Sequence, residues 1–334
     1  MSPATQPGSA YVAPRWLPGG HLQTIWPLLR KGPLPDFRRE RWDTPDGDFI
    51  DLDWLPHRPG APLVILFHGL EGSSRSPYAR SLMRHLAARG WNGVVPHFRG
   101  CSGEPNRQPR AYHSGDADEI DWILERLAAL HPRVPRYAAG VSLGGNALLL
   151  WLGTRGMAAS RIVSAAAAIC PPLDLSAAGH HLGRGFNRLY TRHFLATLKA
   201  NAALKLQRHP GLFDRDAMLR ATNLYEFDNL VTAPLHGFRN TDDYWLRASS
   251  KPHLPGIRLP TLLINPLNDP FLPARHLPGG DEVAACIQLE QPADGGHVGF
   301  VSGPWPGNLD WLPNRLVRFF TDSGNCQTAF PPIA

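Results

Sequence analysis

Apolar runs that alternate with helical segments constrain the fold of this 334-residue chain more than any other feature. Four such runs occupy 63–67, 93–95, 137–141 and 165–169. Short unbroken runs are typical of strands buried on both faces, and strands that alternate with helices form a parallel sheet covered on both sides. The sequence therefore predicts an α/β fold.

The segments that flank these runs extend the pattern. Strands at 38–42 and 49–54 lie on either side of a Pro-Asp-Gly turn and predict an antiparallel hairpin. The segment 116–130 predicts an amphipathic helix, because its apolar residues repeat on one stripe. Four acidic residues crowd its first turns: Asp116, Asp118, Glu119 and Asp121. We interpret them as solvated groups that complement the helix dipole rather than as metal ligands.

Residues 140–144 read Gly-Val-Ser-Leu-Gly, between an apolar run and the helical segment at 146–152. Gly-x-Ser-x-Gly between a strand and a helix is the pattern of the nucleophile elbow, a strained turn that exposes a serine hydroxyl. A side chain at either glycine would crowd this turn. Ser142 is therefore the candidate nucleophile. The alternative is a serine that only caps the following helix.

A serine hydroxyl needs a base to take its proton, and the base needs a third group to orient it. Asp269 follows a predicted buried strand at 261–265, and His297 lies in a glycine-rich loop after the apolar run at 284–289. The order serine, acid, histidine, each after a core strand, is typical of a hydrolase triad. Alternatively, Asp269 only forms a turn and His297 is an ordinary loop histidine. Three other carboxylates compete with Asp269: Asp242, Asp243 and Asp294.

The loop after the run at 63–67 reads His68-Gly-Leu-Glu-Gly. In this type of site, that loop supplies one backbone N–H of the oxyanion hole, and the residue after the nucleophile supplies the other. We therefore assign the backbone N–H groups of Leu70 and Leu143, with Glu71 as an alternative to Leu70. We interpret His68 as a structural ring that satisfies loop carbonyls.

Several motifs together make the chain resemble the α/β-hydrolase superfamily, and within it the YheT-like branch, bacterial esterases related to eukaryotic ABHD-type lipases. The motifs lie at 16–27, 68–72, 96–103, 140–146 and 232–238. The resemblance extends over 16–320 and implies a mostly parallel eight-stranded sheet with helices on both faces and a helical lid insertion. It also implies ester hydrolysis by Ser142, Asp269 and His297. Val141 departs from the family, which often has Phe there.

The alternation of strands and helices stops after the sixth strand, where this fold commonly carries a lid. We predict an N-terminal arm at 1–36, core segments at 37–170 and 256–334, and a lid at 171–255. Helices are expected near 186–206 and 215–219, and a loop-rich part is expected from 225 to 250. Two lid aromatics are assigned to an acyl pocket, Phe194 and Trp245, although lid aromatics also serve simply to attach a lid to the core. The basic residues Arg184, Arg188, Arg192, Lys199 and Lys205 indicate either an anionic head group or membrane surface, or a solvated helix face.

Composition limits the remaining classes of function. Hydrophobic residues make up 43% of the chain and no apolar stretch reaches the length of a membrane-spanning helix. Residues 1–9 resemble a loose arm and show no signal-peptide pattern, and four scattered cysteines indicate neither a zinc site nor a disulfide framework. We expect a cytoplasmic protein with no metal or other cofactor. The net charge of +6 is spread along the chain, so no nucleic-acid partner is expected.

These observations predict a serine hydrolase that cleaves carboxylic esters, with medium-chain acyl or lipid-like substrates, through an acyl-enzyme. The partner is then a small-molecule ester, with peripheral membrane or lipid contact as a further possibility, and the oligomeric state stays open. One alternative is an alcohol acyltransferase that uses the same triad. Another is a ligand-binding protein that keeps the hydrolase fold without catalysis.

Overall fold

A computed structural model describes residues 10–30 and 32–328 of the chain, and the side chains of 325–328 are outside that description. The loose arm predicted at 1–9 therefore lies outside the described residues. The rest of the predicted arm contains a helix, α1 (Gly20–Leu29), which the sequence analysis did not foresee.

Eight strands form one sheet at the centre of the molecule. In chain order they are β1 (Arg38–Asp43), β2 (Phe49–Trp54), β3 (Leu63–Phe67), β4 (Asn92–Pro96), β5 (Arg136–Val141), β6 (Ala165–Ile169), β7 (Thr261–Ile264) and β8 (Ile287–Glu290). Their order across the sheet is β1-β2-β4-β3-β5-β6-β7-β8. Strands β1 and β2 pair antiparallel, as do β2 and β4, and all other pairs are parallel. The predicted hairpin and the predicted eight-stranded, mostly parallel sheet are confirmed.

Helices cover both faces of this sheet because its central strands are mostly apolar. The core helices are α2 (Pro77–Ala88), α3 (Ala117–Leu130), α4 (Leu143–Arg155) and α11 (Trp311–Thr328). Helices α2 and α11 pack on one face through residues such as Met83 and Phe320, and α3 and α4 pack on the other through residues such as Ile123 and Leu148. Every residue of β3 and β6 is buried. Strands buried on both faces require apolar side chains in both directions, which explains their unbroken apolar sequences.

Strand β8 begins later than its apolar sequence indicates. The run at 284–289 predicts a strand from Ala284, but the ladder with β7 starts at Ile287, opposite Thr261. β8 lies at the edge of the sheet and only Ile287 of its four residues is buried. The first residue of an edge strand is set by where its hydrogen bonds to its one neighbouring strand begin. The apolar pattern alone therefore predicts that residue poorly.

The lid consists mainly of helices joined by short loops, and this corrects the loop-rich part predicted from 225 to 250. Its helices are α5 (Leu175–Leu182), α6 (Arg188–Arg208), α7 (Arg215–Arg220), α8 (Leu224–Phe227), α9 (Ala233–Leu235) and α10 (Thr241–Ala248), with a π-helical turn at Asp228–Thr232. Asn223 and Asn240 cap α8 and α10 by accepting hydrogen bonds from backbone N–H groups. Helices of three to eight residues contain too few turns for a periodic pattern, and caps and packing define them instead.

The acidic residues at the start of α3 are not all solvated, contrary to the prediction. Asp116 and Glu119 are buried, and the side chains of Arg110 and Arg99 respectively form ion pairs with them. Burial and the neighbouring Asp116 carboxylate raise the pKa of Glu119 to about 7. A buried carboxylate requires a partner because desolvation of an unpaired charge is costly. The sequence pattern did not reveal these partners because neither lies on α3.

Among the described residues, no helix is both long enough and apolar enough to cross a membrane.

Candidate active site

Ser142 lies on a strained turn between β5 and α4. Its φ of 53° and ψ of −121° are unusual for a residue other than glycine. A Cβ at Gly140 would lie 2.5 Å from the carbonyl oxygen of Gly144, and a Cβ at Gly144 would lie 2.5 Å from the carbonyl oxygen of His68. Both positions therefore require glycine. The Ser142 side chain makes no capping hydrogen bond to α4, so its hydroxyl is free for another partner.

That partner is the imidazole of His297. Its Nε2 lies 2.9 Å from Ser142 Oγ, and its Nδ1 lies 2.9 Å and 3.1 Å from the two carboxylate oxygens of Asp269. Because a carboxylate accepts hydrogen bonds, Nδ1 carries the ring proton and Nε2 presents a lone pair to the Ser142 hydroxyl. The structure thus brings the three predicted residues together, each beyond the carboxyl end of its strand. This arrangement can take a proton from a serine as it attacks and stabilise the imidazolium that forms.

Asp269 occupies this position rather than any of the three competing carboxylates. Asp294 accepts a hydrogen bond from Asn268 Nδ2, Asp242 from Tyr225 Oη, and Asp243 pairs with Arg239. Asp269 also accepts the backbone N–H of Phe271, so it forms a turn as well as contacting His297.

Two backbone N–H groups remain available beside Ser142. Among the described residues, neither the N–H of Leu70 nor that of Leu143 has an acceptor. The N–H of Glu71, the alternative to Leu70, donates to the hydroxyl of Tyr112 at 2.9 Å. A Cβ at Gly69 would lie 3.1 Å from the Cβ of Ser142, which places this loop directly against the serine. The geometry therefore favours Leu70 over Glu71 as a donor.

His68 holds this loop as a neutral ring, as predicted. Its Nδ1 donates to the carbonyl oxygen of Gly69, and its Nε2 accepts the N–H of Phe98. Burial lowers the pKa of His68 to about 3. Both ring nitrogens are used within the fold, so His68 takes no proton from a ligand at neutral pH.

Helix α1 and Asn268 support the His297 loop through contacts that the sequence pattern did not reveal. Three consecutive backbone N–H groups of the loop donate to side-chain oxygens: Gly295 to Gln23 Oε1 at 2.8 Å, Gly296 to Asn268 Oδ1 at 2.9 Å, and His297 to Thr24 Oγ1 at 2.8 Å. Val298 and Phe300, with φ of 60° and 41°, lie in a region that such residues rarely adopt. A strained loop keeps its conformation only when its surroundings impose it, and these three oxygens do so.

The packing of α1 against the loop leaves no room for larger side chains. A Cβ at Gly20 would lie 2.0 Å from the carbonyl oxygen of Asn268, and a Cβ at Gly299 would lie 2.2 Å from that of Gln23. The motif at 16–27 marks this helix, but its pattern gives no indication of what the helix contacts.

Phe271 and Cys170 pack around the imidazole. The Phe271 ring stacks on the His297 ring with centroids 3.9 Å apart, and Cys170 Sγ accepts the N–H of Val298. Cys170, Asp269 and His297 together place three ligand-type atoms within 4.8 Å of one another, and this is the single such group in the described part of the chain. Burial raises the pKa of the Cys170 thiol well above its usual range, so it does not supply a thiolate. These donors suit a hydrogen-bonded pair better than a metal ion.

A cavity of about 280 Å³ lies beside Ser142, between the sheet and the lid. Leu70 and Leu143 line it together with apolar lid residues that include Leu182, Leu198 and Val231. Both predicted pocket aromatics are among its walls.

The two aromatics differ in their other contacts. Phe194 packs edge-on against Phe271, with ring centroids 5.8 Å apart, and through it approaches His297. Trp245 is buried in the lid, and its indole N–H donates to Asp228 at 2.8 Å. A Cβ at Gly179 would lie 2.3 Å from the Trp245 ring. Trp245 therefore also attaches parts of the lid to one another.

The five basic lid residues do not share one role. Lys199 donates to the carbonyl oxygens of Leu219 and Ala221, and Lys205 to those of Gln108 and Arg110. These two lysines therefore hold the lid together and to the core. The three arginines are exposed, at positions 184, 188 and 192.

Residues 62–304 match the family model described as the alpha/beta hydrolase fold. The chain belongs to the α/β-hydrolase family. It is 39% identical over 324 residues to the Escherichia coli protein YheT, provisionally named an esterase, and the match covers 93% of each chain. It is also 30% identical over 306 residues to mouse phospholipase ABHD3, covering 88% of this hydrolase and 73% of the mouse protein. The resemblance to the YheT-like branch is thus confirmed.

Among solved structures, this hydrolase is similar to the Pyrococcus furiosus esterase Pf2001. The TM-score is 0.55 at 15% identity, and the match covers 86% of this chain and 91% of that one. At this identity the likeness concerns the fold. Together with the family match, these findings identify a hydrolase of the α/β-hydrolase superfamily.

Proposed function

We propose that this hydrolase cleaves carboxylic esters through an acyl-enzyme formed on Ser142, with His297 as base and Asp269 as the residue that orients it. The observation that carries the proposal is the pair of contacts on the imidazole: Nε2 lies 2.9 Å from Ser142 Oγ and Nδ1 lies 2.9 Å from Asp269. A non-catalytic binding protein would have no need for such an arrangement on a strained turn.

The chemistry follows from these contacts. His297 takes the hydroxyl proton while Ser142 Oγ attacks the ester carbonyl, and it then returns the proton to the leaving alcohol. The N–H groups of Leu70 and Leu143 bind the oxyanion of the tetrahedral intermediate. Water, activated by the same imidazole, then releases the acid and restores the serine.

The cavity supports an acyl chain longer than acetate. Its walls near Ser142 are mostly apolar, and each methylene buried there adds about 0.8 kcal/mol, close to a fourfold gain in binding. Similarity to a protein named a phospholipase also supports a lipid-like ester. We therefore propose medium-chain acyl or lipid-like esters as the substrate class, with no metal or organic cofactor in the reaction.

A fluorophosphonate probe tests the nucleophile directly. It should label the wild type at one serine, and Ser142→Ala should abolish both labelling and ester turnover, with a loss on the order of 10⁴-fold or more. The matched control is Ser114→Ala, which removes a hydroxyl from the same cavity and should leave labelling intact. Labelling that persists in Ser142→Ala would refute the assignment.

Substrate and acceptor need a separate measurement. A panel of p-nitrophenyl esters from C2 to C16, extended to monoacylglycerols and lysophospholipids, should give a maximum of kcat/KM at medium chain length. The same reactions in the presence of added alcohol separate hydrolysis from acyl transfer. A dominant transesterified product in dilute alcohol would identify an acyltransferase.

A further inference from the structure

Helix α1 presents an apolar face to solvent on the side opposite its buried contacts. Gln23 and Pro27 are buried against the core and Thr24 contacts the His297 loop. At 100° per residue, the opposite side of the helix carries Leu22 and Leu29, which are 52% and 69% exposed. These leucines do not stabilise the fold by burial.

The apolar surface continues on both sides of α1. On one side, the His21 ring packs against Phe186 with centroids 4.5 Å apart, and Phe186 and Leu189 are 51% and 57% exposed. On the other side, Trp26 packs against Trp305, which is 67% exposed. Scattered exposed apolar residues are ordinary, but a contiguous group of this kind marks an interaction surface.

The charge around this group is mostly positive, although the half-buried Asp294 lies beside Gln23 and the exposed Asp310 follows Leu309. The three segments that form it, at 10–30, 184–192 and 298–309, contain no aspartate or glutamate. Its exposed basic residues form no ion pair with any described residue. They are Arg15, Arg30, Arg184, Arg188 and Arg192. A protein partner would usually present both signs of charge and shaped pockets, whereas leucine, tryptophan and unpaired arginine together suit an anionic lipid surface.

The location of this surface is also informative. Asp269, His297 and Ser142 lie beyond the carboxyl ends of their strands, and α1 contacts the loops that carry the first two. The apolar, basic surface therefore lies at the same edge of the sheet as the candidate active site.

We propose that the surface formed by Leu22, Leu29, Phe186, Leu189 and Trp305, with the five arginines around it, binds the protein reversibly to anionic lipid bilayers. The leucines and aromatic rings enter the boundary between head groups and acyl chains, and the guanidinium groups pair with lipid phosphates. Binding is peripheral and weakens with salt, because its electrostatic part is screened.

Sedimentation with vesicles tests the proposal without any turnover, so its outcome is independent of the proposed esterase activity. The full chain should bind vesicles of phosphatidylcholine and phosphatidylglycerol (7:3) and should release them at 0.5 M salt. Vesicles of phosphatidylcholine alone should bind at least tenfold more weakly. Equal binding to both kinds of vesicle, or binding to neither, would overturn the proposal.

Two variants locate the surface. Leu22→Gln/Leu29→Gln should weaken binding to anionic vesicles at least tenfold, because it removes two exposed side chains that insert between head groups. The matched control is Leu130→Gln/Leu246→Gln, which changes leucines that are 55% and 70% exposed elsewhere and should bind as the wild type does. Melting temperatures for both variants should stay close to that of the wild type, since neither pair is buried.

A charge variant tests the arginines separately. Replacing Arg184, Arg188 and Arg192 by Gln should weaken binding about 100-fold, at roughly fivefold for each arginine. The control replaces Arg133, Arg161 and Arg258, three exposed arginines that precede the amino ends of β5, β6 and β7, and should change binding less than threefold. If the control weakens binding equally, net charge rather than this surface attracts lipid and the proposal fails. It also fails if light scattering reveals a dimer that only Leu22→Gln/Leu29→Gln dissociates, because a second copy of the chain then covers the surface.

Discussion

The hydroxyl of Thr24 offers a direct test of how α1 positions the imidazole. Thr24 Oγ1 accepts the backbone N–H of His297 at 2.8 Å and donates to the carbonyl oxygen of Gly20 at 2.7 Å. Thr24→Val replaces the hydroxyl by a methyl group of similar size and leaves the His297 N–H without its acceptor. An unsatisfied buried donor costs about 1–3 kcal/mol. Either the loop keeps its conformation and the folded state loses this much stability, or the loop moves so that the His297 N–H finds another partner.

These two responses have different signatures. If the loop moves, the 2.9 Å contact between His297 Nε2 and Ser142 Oγ lengthens, and the cost is expressed in kcat. About 1–3 kcal/mol corresponds to roughly 5- to 150-fold in rate. Phe271 and Asp269 still hold the ring, so we expect a value near the lower end, about tenfold. KM should change less than twofold, because Thr24 does not line the cavity.

The assay is the steady-state hydrolysis of one p-nitrophenyl ester together with urea unfolding of each variant. Thr24→Ser keeps the oxygen and should retain kcat within threefold of the wild type. Suppose instead that Thr24→Val keeps kcat within twofold while its unfolding free energy falls by the full 1–3 kcal/mol. Thr24 would then only stabilise the fold, and the argument that it positions His297 would be refuted.

Three further changes test other parts of the site. Asp269→Asn should lower kcat by roughly 10³- to 10⁴-fold through loss of the correct imidazole tautomer, whereas Asp294→Asn should stay within tenfold of the wild type; the reverse result would contradict the assignment of the acid. Phe194→Ala should flatten the rise of kcat/KM with acyl length more than it lowers the rate on C2 esters. Trp245→Ala should have the same effect and should also lower the melting temperature, because Trp245 is buried. An unchanged chain-length profile in both variants would show that these residues do not line the acyl pocket. Burial raises the pKa of Asp228 to about 6, so the folded protein holds a proton that the unfolded chain releases near pH 4. The unfolding free energy should therefore fall by about 2.5 kcal/mol from pH 4 to 7 relative to Asp228→Asn, and parallel curves for the two proteins would contradict the cause given for this shift.

The sheet could be predicted because each strand is recognisable from its own short stretch of sequence. The residues of β3 and β6 are apolar without interruption, and such a run of five is typical of a strand buried on both faces. The position of Ser142 was equally accessible, since Gly140 and Gly144 are required by contacts within a few residues or with the adjacent strand. The order of Ser142, Asp269 and His297 along the chain then predicted which loops meet, and the structure brings them together.

The lid was less accessible because its elements are short and its side chains serve several purposes. Trp245 illustrates the difficulty. An aromatic residue in a lid predicts a pocket wall, and Trp245 does line the cavity, but its indole N–H also pairs with Asp228 and its ring fills the space above Gly179. The sequence shows that an aromatic residue is present in the lid, but it does not show which part of the ring faces the cavity.

The support of the His297 loop could not be predicted, and the reason lies in distance along the chain. Gln23 and Gly295 are 272 positions apart, and no local pattern relates them. A signal was nevertheless present, because Gln23 and Thr24 are two adjacent polar residues in a mostly apolar ten-residue helix. Gln23 is fully buried, and a buried amide must find partners for its oxygen and its nitrogen. Here the nitrogen donates to Leu17 and the oxygen accepts from Gly295 and Asn268, so a single side chain connects α1 to the loops that carry His297 and Asp269. The polar pair in α1 is thus explained by the site it supports rather than by the helix that contains it.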